Sequence, residues 1–225
     1  MCAQTRQTSW QCGWELEREA WASGARLLAG VDEVGRGPLF GPVTAAAVIL
    51  PAAFADQPDQ LCGLKDSKQL KEADRERLAV EIRSVSLACA VAEVDVATID
   101  RINIRQATRL AMRQALAELR ATMPVDFALV DGNCEVDVSG LGCRQRTIVS
   151  GDARSVSIAA ASVVAKVHRD ARLRQMDTEF PGYGLARHKG YGTPEHLDAL
   201  RRLGPTIEHR RSFAPVRAVC ASPIS

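Results

Sequence analysis

Runs of apolar residues alternate with charged and glycine-rich segments along this chain, and their periods predict five strands, at 26–32, 43–50, 84–94, 127–131 and 146–150. The first two form one unit, RLLAGVDEVGRGPLFGPVTAAAVIL from Arg26 to Leu50. An apolar run meets the adjacent acids Asp32 and Glu33. A turn containing Gly35, Gly37, Pro38, Gly41 and Pro42 follows, and the chain returns through Thr44–Leu50 without a charge. This reads as strand, acidic lip, glycine-rich turn and second strand.

Helical periods fill most of the remainder. Trp14, Leu16, Ala20 and Trp21 share one side of a short helix whose other side carries Glu15, Glu17, Arg18 and Glu19. LKDSKQLKEADRERLAVEI begins as a polar turn and becomes helical on Leu70, Leu78 and Ile82, with Asp66 or Ser67 as its cap. Asp95–Asp100 leads into a helix with Ile104, Ala107, Ala111, Ala115 and Leu119 on one side. Arg101, Arg105, Arg109 and Arg113 recur at every fourth position, and Pro124 ends the pattern. A long helix from about Ser155 to Met176 is rich in Ala and Ser, which suits close approach to a sheet. Thr193 and Pro194 start another that runs to Leu203, and Ala218–Ser225 shows no organising pattern. The whole is an α/β chain, a mixed sheet with helices packed on it. It divides into a tail and short helix (1–25), a core (26–180), a C-terminal region (181–217) and a tail (218–225).

Composition narrows the class. The 225 residues are 46% hydrophobic and 25% charged, enough for one substantial core and ordinary for a globular protein. Net charge is only +2, yet residues 151–225 carry 12 basic against 7 acidic side chains, which can hold a polyanion over an acidic front or be a solvated surface. Seven scattered cysteines without a CxxC pair suggest neither a disulfide scaffold nor structural zinc. There is no secretory signal pattern and no long apolar run, so the chain reads as cytoplasmic, without membrane contact.

Three acidic points close predicted strands: Asp32 with Glu33, Asp131 and Asp152. Gathered together, four carboxylates would repel and raise one another's pKa unless a cation offset them, and hard oxygen donors favour Mg2+ or Mn2+ over Zn2+. Adjacent strand positions face opposite ways, so Asp32 and Glu33 reach one ion only if the backbone bends at them; a solvated hairpin corner is the alternative. The set points to phosphodiester hydrolysis, by a metal-dependent nuclease or phosphatase. Gly35-Arg36-Gly37 lacks P-loop and dinucleotide spacing, but its glycines let backbone approach a ligand while Arg36 can pair with phosphate. Lys68 and the loop Arg187–Tyr191 are candidate backbone contacts, and Tyr191 between two glycines can stack on a sugar or base or pin the loop.

In AGVDEVGRGPLFGPVTAAAVIL, LKDSKQL, NIRQATRLAMRQAL, LVDGN, GDARSVSIAAASVVAKVHRD, HKGYGTPEH and HRRSFAPVR, the chain resembles the ribonuclease HII family. The resemblance implies an RNase H-like fold, a five-stranded mixed sheet flanked by helices with a small C-terminal helical extension. It implies Asp32, Glu33, Asp131 and Asp152 as ligands of Mn2+ or Mg2+. The implied activity is two-metal hydrolysis on the 5′ side of a ribonucleotide, in RNA–DNA hybrids or embedded in duplex DNA. Gly35, Arg36 and Gly37 would read the 2′-hydroxyl, Tyr191 would pack on the deoxyribose beyond the junction, and Lys68 would contact phosphate. A monomer with no obligate protein partner is implied. Ser150 stands where the family often has Lys, and Asp170, inside the long helix, suits a structural or supporting role. The competing readings are a non-catalytic binder of RNA–DNA hybrids and a type 1-like ribonuclease H requiring longer RNA runs.

Overall fold

The computed structural model describes residues 12–57, 60–64, 67 and 70–221. Five strands, β1 (Leu28–Val34), β2 (Val43–Ile49), β3 (Ala88–Val94), β4 (Phe127–Asp131) and β5 (Arg144–Ile148), form one sheet in the order β3-β2-β1-β4-β5. β1 pairs antiparallel with β2, as β2 does with β3, while β1–β4 and β4–β5 are parallel. The sheet is therefore mixed. β1, the run that ends in the two acids, lies at its centre.

Eight helices are present among the described residues: α1 (Glu15–Ala22), α2 (Glu72–Val85), α3 (Val96–Ile102), α4 (Ile104–Thr122), α5 (Val156–Glu179), α6 (Leu185–His188), α7 (Pro194–Leu203) and α8 (Ala214–Ala221). α4 covers one face: Ala107, Ala111, Ala115 and Leu119, its predicted apolar side, pack with Ala29, Val31, Ala45 and Val130. α5 covers the other, with Ala159, Ala160, Val163 and Val164 against Ala46 and Val48 and with α2 outside it. The small residues do bring α5 close: a Cβ on Gly30 would fall 2.1 Å from the Ser157 carbonyl, so β1 can pass only as glycine.

Several boundaries depart from expectation for local reasons. β3 starts at Ala88 because Ser84 and Val85 complete α2, so the alternation near 84 belongs to a helix end. α2 begins after Lys71, and Ser67 instead shares a 2.8 Å hydrogen bond with Ser162 of α5; Asp66 lies outside the described residues. The segment after Asp95 is two helices, broken at Asn103 with φ +67°, whose side chain accepts from the Gln106 amide to cap α4. β5 ends at Ile148, and Ser150 turns the chain in a left-handed conformation. α8 occupies part of the segment expected to lack order, held by Val216 against Leu39 and Leu200. As expected, Thr193 caps α7 with Pro194 in its first turn, and Trp14 stacks on Trp21 at 6.1 Å.

Candidate active site

β1 does not bend at its acids. Asp32, Glu33 and Val34 remain paired with Ala46, Ala45 and Thr44 of β2, which corrects the expectation of a kink. On the other side of β1, pairing with β4 ends at Val31 and Val130. The acids stand just past that end, where side chains from either face can reach round the strand termini. Asp32 turns to the α5 face, where Ser162 donates a hydrogen bond to it. Glu33 lies on the α4 face, lining a cleft with Thr108 and Met112. Asp131, the last residue of β4, completes the group: the three carboxylates have oxygens within 4.8 Å of one another.

Burial and mutual repulsion make this cluster avid for positive charge. Burial, then the charges of Glu33 and Asp131, hold the Asp32 carboxyl well above the usual carboxylate range. Glu33 is raised by burial and by Asp131, and Arg36, 3.3 Å away, offsets part of this. Three hard oxygen donors, one of them desolvated, fit a divalent cation: the cluster can coordinate one.

Asp152 stands beside this group rather than within it. It is buried in a 3-10 turn, Gly151–Ala153, and the amide of its neighbour Gly151 donates to Asp131 Oδ1 at 2.6 Å. A Cβ at Gly151 would meet Ile158 at 2.5 Å, so the glycine lets this amide seat Asp131.

The glycine-rich turn is fastened from beneath by two arginines that sequence reasoning missed. Arg169 of α5 and Arg210, before α8, have 0% of their surface exposed. Arg210 donates to the carbonyls of Gly35, Arg36, Gly41 and Pro42, at 2.6–3.1 Å. Arg169 donates to those of Phe40, Pro42 and Lys189. Neither guanidinium has a carboxylate partner within ion-pair distance among the described residues, and burial lowers the pKa of both, Arg210 to about 9. Gly35 has φ +92°, and a Cβ there would strike Arg169 Nε at 2.2 Å. Tyr191, 45% exposed, meets the same turn from the other side: a Cβ on Gly37 would lie 3.5 Å from its ring. The turn and Tyr191 therefore share one surface; that the two act together was implied by the family resemblance alone.

Behind Tyr191, two histidines form a directed chain and a third stacks on it. The Thr206 amide donates to His209 Nδ1 at 3.0 Å, leaving Nε2–H to face His196 Nε2 at 3.2 Å, and His196 Nδ1–H then donates to the Tyr191 carbonyl at 2.9 Å. His188 stacks on His196 at 4.6 Å. The chain works only with neutral rings: a second proton between the facing nitrogens would leave two donors opposed, and one on His209 Nδ1 would meet the Thr206 amide. Burial keeps them neutral, pushing His209 down to about 3. Asp170 pairs with Lys166 at 2.8 Å inside α5. Lys68 lies outside the described residues.

A family model described as ribonuclease HII matches residues 29–216. The chain belongs to the ribonuclease HII family. It is 55% identical over 207 residues to the ribonuclease HII of Rhodospirillum rubrum, covering 92% of this chain and 90% of that one. It is 50% identical over 208 residues to that of a Synechococcus strain, with the same coverage. The ribonuclease H2 of Pyrococcus horikoshii superposes with a TM-score of 0.72 at 25% identity, over 86% of this chain and 97% of that one. The RNase H-like fold expected from the resemblance is thus the fold observed. No helix among the described residues is long and apolar enough to cross a membrane.

Proposed function

We propose that this member of the ribonuclease HII family is a metal-dependent endoribonuclease cutting on the 5′ side of a ribonucleotide, in RNA–DNA hybrids or where one ribonucleotide is embedded in duplex DNA. The products carry 5′-phosphate and 3′-hydroxyl ends. The observation that carries the reading is the juxtaposition of the desolvated Asp32–Glu33–Asp131 cluster with a glycine turn and an exposed tyrosine.

Asp32, Glu33, Asp131 and Asp152 would hold Mg2+ or Mn2+, Asp152 entering from the turn that seats Asp131. Bound there, such ions make water nucleophilic at neutral pH and stabilise the departing oxygen. The chain's own groups position the strand. With their carbonyls tied to Arg210, Gly35 and Arg36 present a rigid backbone surface to the sugar. A 2′-hydroxyl can donate and accept against such a surface, and a deoxyribose cannot. Tyr191 packs on the next sugar, where a second 2′-hydroxyl would crowd the ring. Arg36, once released from Glu33, and Lys68 neutralise phosphates. Ser150, where the resemblance implies a Lys, places no positive charge beside Asp152. The enzyme works as a monomer in the cytoplasm, where this cut begins removal of misincorporated ribonucleotides.

The test is a duplex carrying one ribonucleotide, with and without Mn2+ or Mg2+. Cleavage 5′ of the ribonucleotide is expected, with none after chelation and none of an all-DNA duplex. A hybrid-binding protein would leave every duplex intact, and a type 1-like enzyme would cut only longer ribonucleotide runs. Equal cutting of the all-DNA duplex would overturn the reading.

A further inference from the structure

A cleft of about 350 Å³ opens beside the acids on the α4 face, lined by Glu33, Asp131 and Arg36 together with Arg105, Arg109 and Asn133. The arginine stripe of α4 divides here by what each member touches. Arg113 is spent on the loop below, donating to the carbonyls of Asp137 and Ser139, and Arg101 on Thr98 Oγ1 at 3.4 Å. The two between them face the cleft. Among the described residues Arg105 donates only to the Cys134 sulfur, a weak acceptor, at 3.0 Å. Arg109 is half-buried and makes no hydrogen bond or ion pair with any described residue; its charge acts on Asp137 only at longer range, beside that of Arg113. A guanidinium without a direct partner in a cleft can take an anion there.

Two cations a few residues from a trio of carboxylates also answer an electrostatic problem. The acids attract metal but repel a polyanion, so a strand approaching them needs compensating charge alongside. Arg36 supplies it on the side of Tyr191. Tyr191 does not line this cleft, and of the glycine turn only Arg36 does. We propose that Arg105 and Arg109 form a phosphate clamp for the cut strand upstream of the scissile bond, taking phosphodiester groups on the 5′ side while the glycine turn and Tyr191 take the 3′ side. This rests on the function proposed above. Arg109 is the principal contact, and Arg105 joins it by exchanging a sulfur for a phosphate oxygen.

The experiment pairs Arg109→Ala, Arg109→Lys and the double variant Arg105→Ala/Arg109→Ala with duplexes bearing one ribonucleotide and single methylphosphonate linkages, which are uncharged. Binding is read by fluorescence anisotropy in chelator, cleavage by steady-state rates, and folding by melting temperature. Arg109→Ala is expected to weaken binding and raise KM by about tenfold with kcat nearly unchanged, as removal of one charge-assisted hydrogen bond implies. The slope of log affinity against log salt should flatten by about 0.9 for each phosphate that is no longer neutralised. Arg109→Lys should recover much of the affinity. A methylphosphonate on the 5′ side of the cut should weaken the parent protein but not Arg109→Ala, which would locate the clamp. Unchanged affinity and salt slope in the double variant would overturn the clamp, as would methylphosphonate effects that simply add to those of Arg109→Ala. Because binding is read without metal, a parent protein that binds through these arginines yet never cuts would instead overturn the proposed function.

Discussion

Asp32→Asn is expected to lower turnover on a single-ribonucleotide duplex by at least about 10²- to 10³-fold, the scale of losing one preorganised electrostatic group, without harming the fold. Most substitutions of a buried charge destabilise. This one should not, because the native carboxylate is itself the destabilising element. It is 4% exposed and faces Glu33 and Asp131, and that environment raises its proton affinity. Asparagine keeps the shape and an acceptor for the Glu33 amide, which lies 2.7 Å from Asp32 Oδ1, while deleting one of three repelling charges. The melting temperature of the metal-free protein should therefore hold or rise by a few degrees, about 2–4 °C for each kcal/mol relieved in a chain this long. The response to Mn2+ should invert: added ion should raise the melting point of the parent markedly and of Asp32→Asn little, since stabilisation by a ligand scales with its affinity for the folded state. Calorimetric melts with and without Mn2+, beside cleavage rates, check both halves. A variant that loses activity only because it unfolds would remove the basis for assigning Asp32 to the metal.

Arg210→Met is expected to do the opposite, costing stability first and selectivity with it. Methionine fills part of the volume but donates nothing, so the carbonyls of Gly35, Arg36 and Gly41 lose this donor in a dry interior and that of Pro42 keeps only Arg169. Each buried acceptor left without a partner costs about 1–3 kcal/mol, and water entering the site recovers some of it. A net loss of about 3–5 kcal/mol is expected, comparable to breaking a buried charged network by removing one member. Urea denaturation measures it. Protein that remains folded should show weakened preference for ribonucleotide over all-DNA duplex, because the backbone of Gly35 and Arg36 is no longer held in register. Arg210→Lys should recover little, since one ammonium cannot span four carbonyls as a planar guanidinium does. A fully stable, fully selective Arg210→Met would show that the turn holds its own shape.

Much of this was legible along the chain, and what escaped has a common cause. β1, β2 and β4 announce themselves as apolar runs closed by acids or glycines, and the Ala and Ser of α5 foretold its approach to Gly30. The acids were visible because unpaired charges at the ends of buried strands are costly. How they meet was not, because convergence depends on β4 stopping at Asp131 while β1 continues through Val34, a property of the assembled sheet. Arg169, Arg210 and the facing pair His196 and His209 were invisible as site elements because their partners are mainly backbone carbonyls, amides and one another. Such groups carry no sequence signature, and the residues they join lie up to 175 positions apart. The position of Asp152, one residue beyond the amide that seats Asp131, likewise emerges only from the turn at Ser150.

In the proposed function the strand-end carboxylates hold divalent ions against the phosphate 5′ of a ribonucleotide. The most direct measurement is an anomalous difference map from crystals grown with Mn2+ and a single-ribonucleotide duplex made resistant to cleavage. Peaks bridged by Asp32, Glu33 and Asp131 to that phosphate, with Asp152 turned in to join them, are the expected result. Mn2+ bound elsewhere, or a duplex seated with its ribonucleotide away from Gly35 and Tyr191, would contradict it.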